Sequence, residues 1–331
     1  MRGNTSNIPA AGIRNGSARG IWKRLAGRLT RSALISERTA RLTLYVFMIS
    51  LSFVFVFPFL YMLVTSLKSN EDLYDFTVNW VPTVLKVENY IIAFRALGYM
   101  AYLQNSLLIT IVATVGHILS CSFVGYGFAR YQFPLKNVLF FIVIVAFIVP
   151  VQTLIVPLYM LFANFKWLNS YLPILVPTFF GLGLKGALFI FIYRQFYLGI
   201  PKELENAAKI DGCGFLRTYW LIILPMARPV FLVSIVLSMV WHWNDFFEPS
   251  IYAPHEQLSI LPARLNVLIT LVESPPEDLF KLLSVNGKDN TINNAVVMAG
   301  TLMVILPILV SFSFLQRKFM QGIERTGLSG E

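Results

Sequence analysis

Apolar positions dominate this chain in long runs, and the polar residues collect between them. Six stretches are mainly apolar over about 20 residues or more, the length a helix needs to cross a bilayer. They run from Leu42 to Leu67, Leu103 to Ala129, Val138 to Phe162, Tyr171 to Tyr193, Val230 to Tyr252 and Ala295 to Gln316. The pattern predicts an all-α integral membrane protein with six transmembrane helices. Residues 1–41 then form a basic tail, 42–316 the membrane domain and 317–331 a second tail.

One inner segment, 194–229, breaks the apolar pattern, and its Ile200–Pro229 part is a polar island. Pro201 suits a first helical position, and Glu203 and Glu205 fall in the first turn, where the helix dipole favours negative charge. Gly212 and Gly214 can take positive φ and end that helix in a tight turn. A second short helix is expected from Phe215 until Pro225 stops it. Ala207 and Ala208 leave one flank nearly free of side-chain bulk, so another protein can approach the backbone. The island reads as a helix-turn-helix between two spans, shaped to fit into something.

Composition supports the membrane class. Apolar residues make up 56% and charged residues 13% of 331, with mean hydropathy +0.65, whereas soluble domains carry about 25% charged residues. With both termini inside, the segments 1–41, 130–137, 194–229 and 317–331 hold most of the 27 Lys and Arg residues. That asymmetry follows the positive-inside rule, so the net charge of +10 is a topology signal and no compact basic domain exists for nucleic acid. The two cysteines, Cys121 and Cys213, are expected on different levels and unpaired, and no metal-like spacing occurs.

Several residues stand out along the chain. In the first tail Ile21, Trp22, Leu25 and Leu29 recur at helical spacing opposite Lys23, Arg24, Arg28 and Arg31. Two readings stand there: a helix on the anionic leaflet, or, the preferred one, a partly disordered tail that enforces topology. His117 and Ser120 read as interhelical hydrogen-bonding groups. Lys185 lies in Phe180-Gly-Leu-Gly-Leu-Lys-Gly186, in the fourth apolar stretch. A lysine at mid-bilayer costs about 2.5–3.5 kcal/mol, so it should face protein or water. It either lines a substrate path or pairs with a carboxylate. Trp241, His242, Asn244 and Asp245 combine aromatic faces with polar groups that suit a sugar, while an interfacial aromatic belt explains Trp241 and Trp243 equally well. An intramembrane enzyme using His117, His242 and Asp245 is the remote alternative, because the three fall on different spans or depths.

A resemblance carries the reading further. Asn206-Ala-Ala-x-x-x-Gly212, nine residues, then Ile222-x-Leu224-Pro225 resembles the EAA loop of binding-protein-dependent ABC importer permeases. Ile200-Pro-Lys-Glu-Leu-Glu-x-Ala-Ala-x-Ile-Asp-Gly212 is similar to the carbohydrate-uptake branch, in particular to its shorter permease. Trp80-Val-Pro82, Glu88-Asn-Tyr90, Gly125-Tyr-Gly-Phe-Ala-Arg130 and Trp243-Asn-Asp-Phe246 resemble further strings of that branch, and the likeness runs from about Leu42 to Gly330. The sequence departs from the pattern at Asn206, where the motif has glutamate. Glu205 is adjacent but points about 100° away around a helix.

The resemblance implies half of the membrane path of a bacterial importer for a sugar or related polyol. Glu203, Glu205, Asn206, Ala207, Ala208, Asp211, Gly212, Leu224 and Pro225 would couple it to the ATPase. A second permease, two ATPase subunits and an extracytoplasmic solute-binding protein are the implied partners. The chain has no GxxxxGK[ST] loop, so ATP and Mg belong to the ATPase subunits and this chain binds no cofactor and is no enzyme. The alternative is a related permease for a polyamine, an osmolyte or an anionic sugar. The outer loop 253–294 is longer and more polar than the family pattern needs.

Overall fold

The computed structural model describes residues 16–75, 77–78, 80–273 and 292–327, with side chains from 38 to 316. The chain divides into two units, Met1–Tyr61 and Met62–Glu331. All regular structure among the described residues is helical. The first unit holds most of α1 (Gly16–Ser66), which continues through Pro58. Its stretch from Leu42 onward is apolar all round, as a lipid-facing helix should be. The backbone of the first tail is helical from Gly16, while the amphipathic side chains expected there lie outside the described residues.

Early in the second unit a short segment ties itself together. It carries α2 (Asn70–Tyr74) and α3 (Glu88–Leu97). Asn89, within the Glu88-Asn-Tyr90 string, is buried and donates from Nδ2 to the carbonyls of Ser66 and Lys68, both at 2.9 Å. The Thr83 side chain and backbone N–H both bond to Asp72, and these bonds hold that carboxyl below its usual range.

α4 (Tyr99–Arg130) is the helix around which the second unit is packed. Small residues let its neighbours approach closely, as membrane helices require. A Cβ on Gly125 would lie 2.7 Å from the Cβ of Tyr193. Its partners include α8 (Gly186–Leu198) and α12 (Arg228–Asn244). Between α4 and α8 run α5 (Lys136–Ile148), α6 (Val151–Asn164) and α7 (Leu172–Thr178). α9 (Lys202–Ile210), α10 (Phe215–Thr218), a π-helical turn at Tyr219–Ile223 and α11 (Leu224–Met226) precede α12. α13 (Phe247–Tyr252), α14 (Leu261–Glu273) and α15 (Asn294–Gly327) complete the chain.

Among the described residues three helices are long and apolar enough to cross a membrane: Arg38–Ser66, Tyr99–Arg130 and Asn294–Gln316. Two bent pairs raise the number to five. The third apolar stretch is one of them, bent by 105° between α5 and α6. Pro150 causes the break, since it offers no N–H to continue the ladder. The fourth stretch is split into α7 and α8, and the fifth is interrupted after Asn244. Part of the expected outer loop is no loop: α14 buries Leu261 and Leu268 in a core with Trp243, Leu97 and Val296. The loop's polar strings between Ser274 and Asn290 lie outside the described residues.

Candidate functional site

The polar island folds as two helices around a turn. Pro201 stands at the N-cap of α9 rather than inside it, and Glu203 and Glu205 occupy the first turn. At the other end Gly212 takes φ 77°. Its N–H donates to the Lys209 carbonyl at 3.0 Å, and the Cys213 N–H to that of Ala208 at 2.8 Å. These are the two bonds of a Schellman cap. Gly214, at φ −74°, does not need glycine's freedom.

Pro225 does not stop the second helix, which continues to Met226. The π-turn prepares for it: the Leu224 N–H already reaches back to the Tyr219 carbonyl, five residues earlier. The ladder has shifted register there, so proline's missing donor is absorbed. The sharp bend of 78° comes at Ala227, before α12.

The two alanines separate. Ala207 is exposed, but Ala208 is 3% exposed and packs inside this chain. The smooth outward flank is therefore Ala207 with exposed Asn206, next to Ile210 at 87% and Leu216 at 57% exposure. Glu203, Asp211, Gly212 and Pro225 are exposed as well, while Leu224 is partly buried against the core around Tyr219 and Ile223. Glu205 points the other way. It is buried and pairs with Arg130 at the end of α4, Nε to Oε1 2.7 Å. It cannot stand in for a charge at the exposed position of Asn206. Arg130 was visible in the sequence only as the end of a family-like string, and nothing in that string names its partner.

The second polar region surrounds the gap between α7 and α8. Gly181 at φ 72°, Gly183 at φ 79° and Lys185 at φ 63° hold the chain out of the helical ladder. Its carbonyls are met by α4. Ser120 donates to Thr178 O at 2.6 Å, and His117 Nε2 lies 2.9 Å from Leu182 O. A carbonyl only accepts, so His117 donates there, and with both rings neutral its Nδ1 accepts from His242 Nε2 at 3.2 Å. His117 of α4 and His242 of α12 lie on different helices, as expected, and the packing of the two helices brings their rings together. No hydrogen bond joins Asp245 to them among the described residues, and it caps α13 through the N–H groups of Phe247 and Glu248.

Lys185 is exposed beside this break and makes no ion pair among the described residues. Trp241 packs on Phe189, with ring centroids 5.6 Å apart. Trp243 is buried and donates to Val304 O at 3.1 Å, so it belongs to the core. Asn244 is exposed and bonds its own helix. The five candidates for a solute path do not form one cluster: Lys185 and Asn244 are exposed, His242 is sealed in.

Residues 122–324 match the family of binding-protein-dependent transport system inner membrane components. The chain belongs to this family. The permease is 31% identical, over 85% of its length and 93% of the relative's, to the arabinooligosaccharides transport system permease protein AraQ of Halalkalibacterium halodurans. It is 30% identical, over 83% and 92%, to the probable starch degradation products transport system permease protein AmyC of Thermoanaerobacterium thermosulfurigenes. Its fold matches a chain of a bacterial ABC transporter involved in the import of the acidic polysaccharide alginate, with TM-score 0.70 at 19% identity, over 86% of the permease and 98% of that chain. It is a transport subunit, not an enzyme, and the intramembrane-enzyme alternative falls.

Proposed function

We propose that this permease forms half of the membrane path of an ATP-driven importer for a sugar, oligosaccharide or related polyol. Six spans place both termini in the cytoplasm of a bacterial cell, with α5–α6 and the α7–α8 pair each crossing as an interrupted helix. A second permease completes the path, two ATPase subunits bind ATP and Mg, and a solute-binding protein delivers the cargo outside. The sugar assignment draws on the arabinooligosaccharide and starch-product relatives.

One observation carries the coupling role: α9 and α10 present Asn206, Ala207, Ile210 and Leu216 outward from a segment rich in charge. An apolar rim on such a segment is a docking surface. Large side chains at Ala207 should therefore obstruct docking without touching the permease core. The test is co-purification of the ATPase with Ala207→Trp permease, together with uptake in cells. The expected result is loss of both, while Asn206→Glu is tolerated. Normal uptake by Ala207→Trp would overturn the coupling role. Cysteines placed at Ser274 and Ser329 check the topology, the first labelled only from outside and the second only from inside.

Lys185 favours a second reading within the same class, an acidic sugar. It is a cation at a helix interruption, exposed and without a carboxylate partner among the described residues.

A further inference from the structure

The α9 segment is joined to α4 by one side chain. Arg130, the last residue of α4, donates through Nη2 to the carbonyl of Ile200, two residues before α9 begins. Its Nε lies 2.7 Å from Oε1 of Glu205 in the first turns of α9. The two side chains are 2% and 10% exposed, so water does not screen the pair as it screens a surface one. Guanidinium geometry suits the task, because the rigid planar cation can lie against a carboxylate while another of its N–H groups donates to a carbonyl. A lysine in its place would offer a point charge without that planar span.

The other leg of the loop is fastened to the same helix at a different level. Ser122, two turns earlier in α4, shares hydrogen bonds with the hydroxyls of Tyr197 at 2.6 Å and Tyr219 at 2.7 Å. Tyr219 opens the π-turn, and Tyr197 lies in the last turn of α8. Both legs of the helix-turn-helix therefore end on α4. A displacement of α9 then moves α4 directly, and α4 packs against α7, α8, α12 and α14. The exposed face of α9 is left free.

We propose that Arg130 and Glu205 are the positioning pair of this loop: they hold α9 rigidly on α4, so that motion of a docked ATPase reaches the membrane helices. The role of Glu205 is internal, and the exposed position of the family's missing glutamate stays with Asn206. This inference rests on the docking role proposed above.

The test uses the complete importer, permeases with ATPases and binding protein, reconstituted in liposomes. Solute uptake and ATP hydrolysis are measured together. Glu205→Gln and Arg130→Gln should retain the ATPase within about twofold of wild type, yet lower the solute carried per ATP at least tenfold. The reversed pair, Arg130→Glu with Glu205→Arg, should regain at least a third of the wild-type ratio. Arg130→Lys, which keeps the charge but not the planar span that reaches both Glu205 and the Ile200 carbonyl, should lose about threefold. That variant serves the test even if the glutamine variants do not assemble. A wild-type ratio in Glu205→Gln or Arg130→Lys overturns the proposal, as does a reversed pair no better than the worse single variant. Failure of the docking role itself looks different, because Ala207→Trp would then keep its ATPase and its uptake.

Discussion

The α7–α8 break and the α9–α10 turn both interrupt helix with left-handed residues, yet only the break draws on partners from a distant helix. At the turn the bonds are local: Gly212 and Cys213 close the cap on Lys209 and Ala208. A Cβ added to Gly212 would meet nothing within 4 Å. The break has local turn bonds too, such as Leu182 N–H to Pro177 O, but the carbonyls of Thr178 and Leu182 are also met by Ser120 and His117 of α4, more than fifty residues earlier in the chain. The difference fits the proposed topology, with the break in the bilayer and the turn in water. Lipid offers no hydrogen bonds, so an interrupted helix there needs partners built by the rest of the protein. A turn that faces water needs only its own cap, and its surface is left free for another subunit.

That contrast should show in substitutions. The largest effect is expected at Gly116, where a Cβ would lie 2.2 Å from Thr178 Oγ1 and 3.1 Å from the Phe179 ring. Gly116→Leu cannot be absorbed without moving the break, and overpacking costs about 1–3 kcal/mol or more. Purified permease should melt well below wild type or fail to accumulate. An unchanged melting temperature would mean the break is not wedged against α4.

Next comes His117→Ala, which leaves the Leu182 carbonyl and the His242 ring without their partner. Unsatisfied buried polar groups cost about 1–3 kcal/mol. The melting temperature should fall, and His117→Gln, which can still donate, should recover part of the loss. No recovery would show that ring packing rather than hydrogen bonding secures the break.

Gly212→Val inverts the pattern. It adds a side chain at φ 77°, a penalty of about 1–2 kcal/mol for the left-handed conformation. Uptake should fall far more than the melting temperature does, because the turn shapes the docking face. Gly212→Asn, which visits that region more readily, should keep uptake within a few-fold. If Gly212→Val transports normally, the turn is not part of the coupling element.

The smallest effect on stability belongs to Lys185→Met, since no ion pair among the described residues depends on it. Competition uptake assays should show altered preference between neutral and acidic sugars, with melting unchanged. A clear loss of stability would reveal a structural partner for the lysine.

Much of this molecule was legible in its residues. The apolar runs, the acidic first turn of α9, the Gly212 cap and the looseness around Gly181–Gly183 follow from local chemistry. The polar loop's place in the family was legible too, through Ala207, Ala208 and Gly212 at their spacing. The sharp bend at Pro150 was not read, because apolar content continues through it and length alone suggested one straight span. Nor was α14, whose apolar content was masked by the polar strings that follow it.

Local pattern by itself determined the helical class, the membrane setting, the position of the polar loop and the residue that caps its first helix. Each of these depends on near neighbours in the chain, whose spacing is fixed by the helical repeat. Only the tertiary structure decided that Ala208 and Glu205 face inward while Ala207 and Asn206 face out. Only it brought His242 to His117 and Arg130 to Glu205. Those pairings depend on how each helix is rotated about its own axis against α4. Rotation is set by the whole packed surface, through close approaches such as those at Gly116 and Gly125, and no short stretch of sequence carries it.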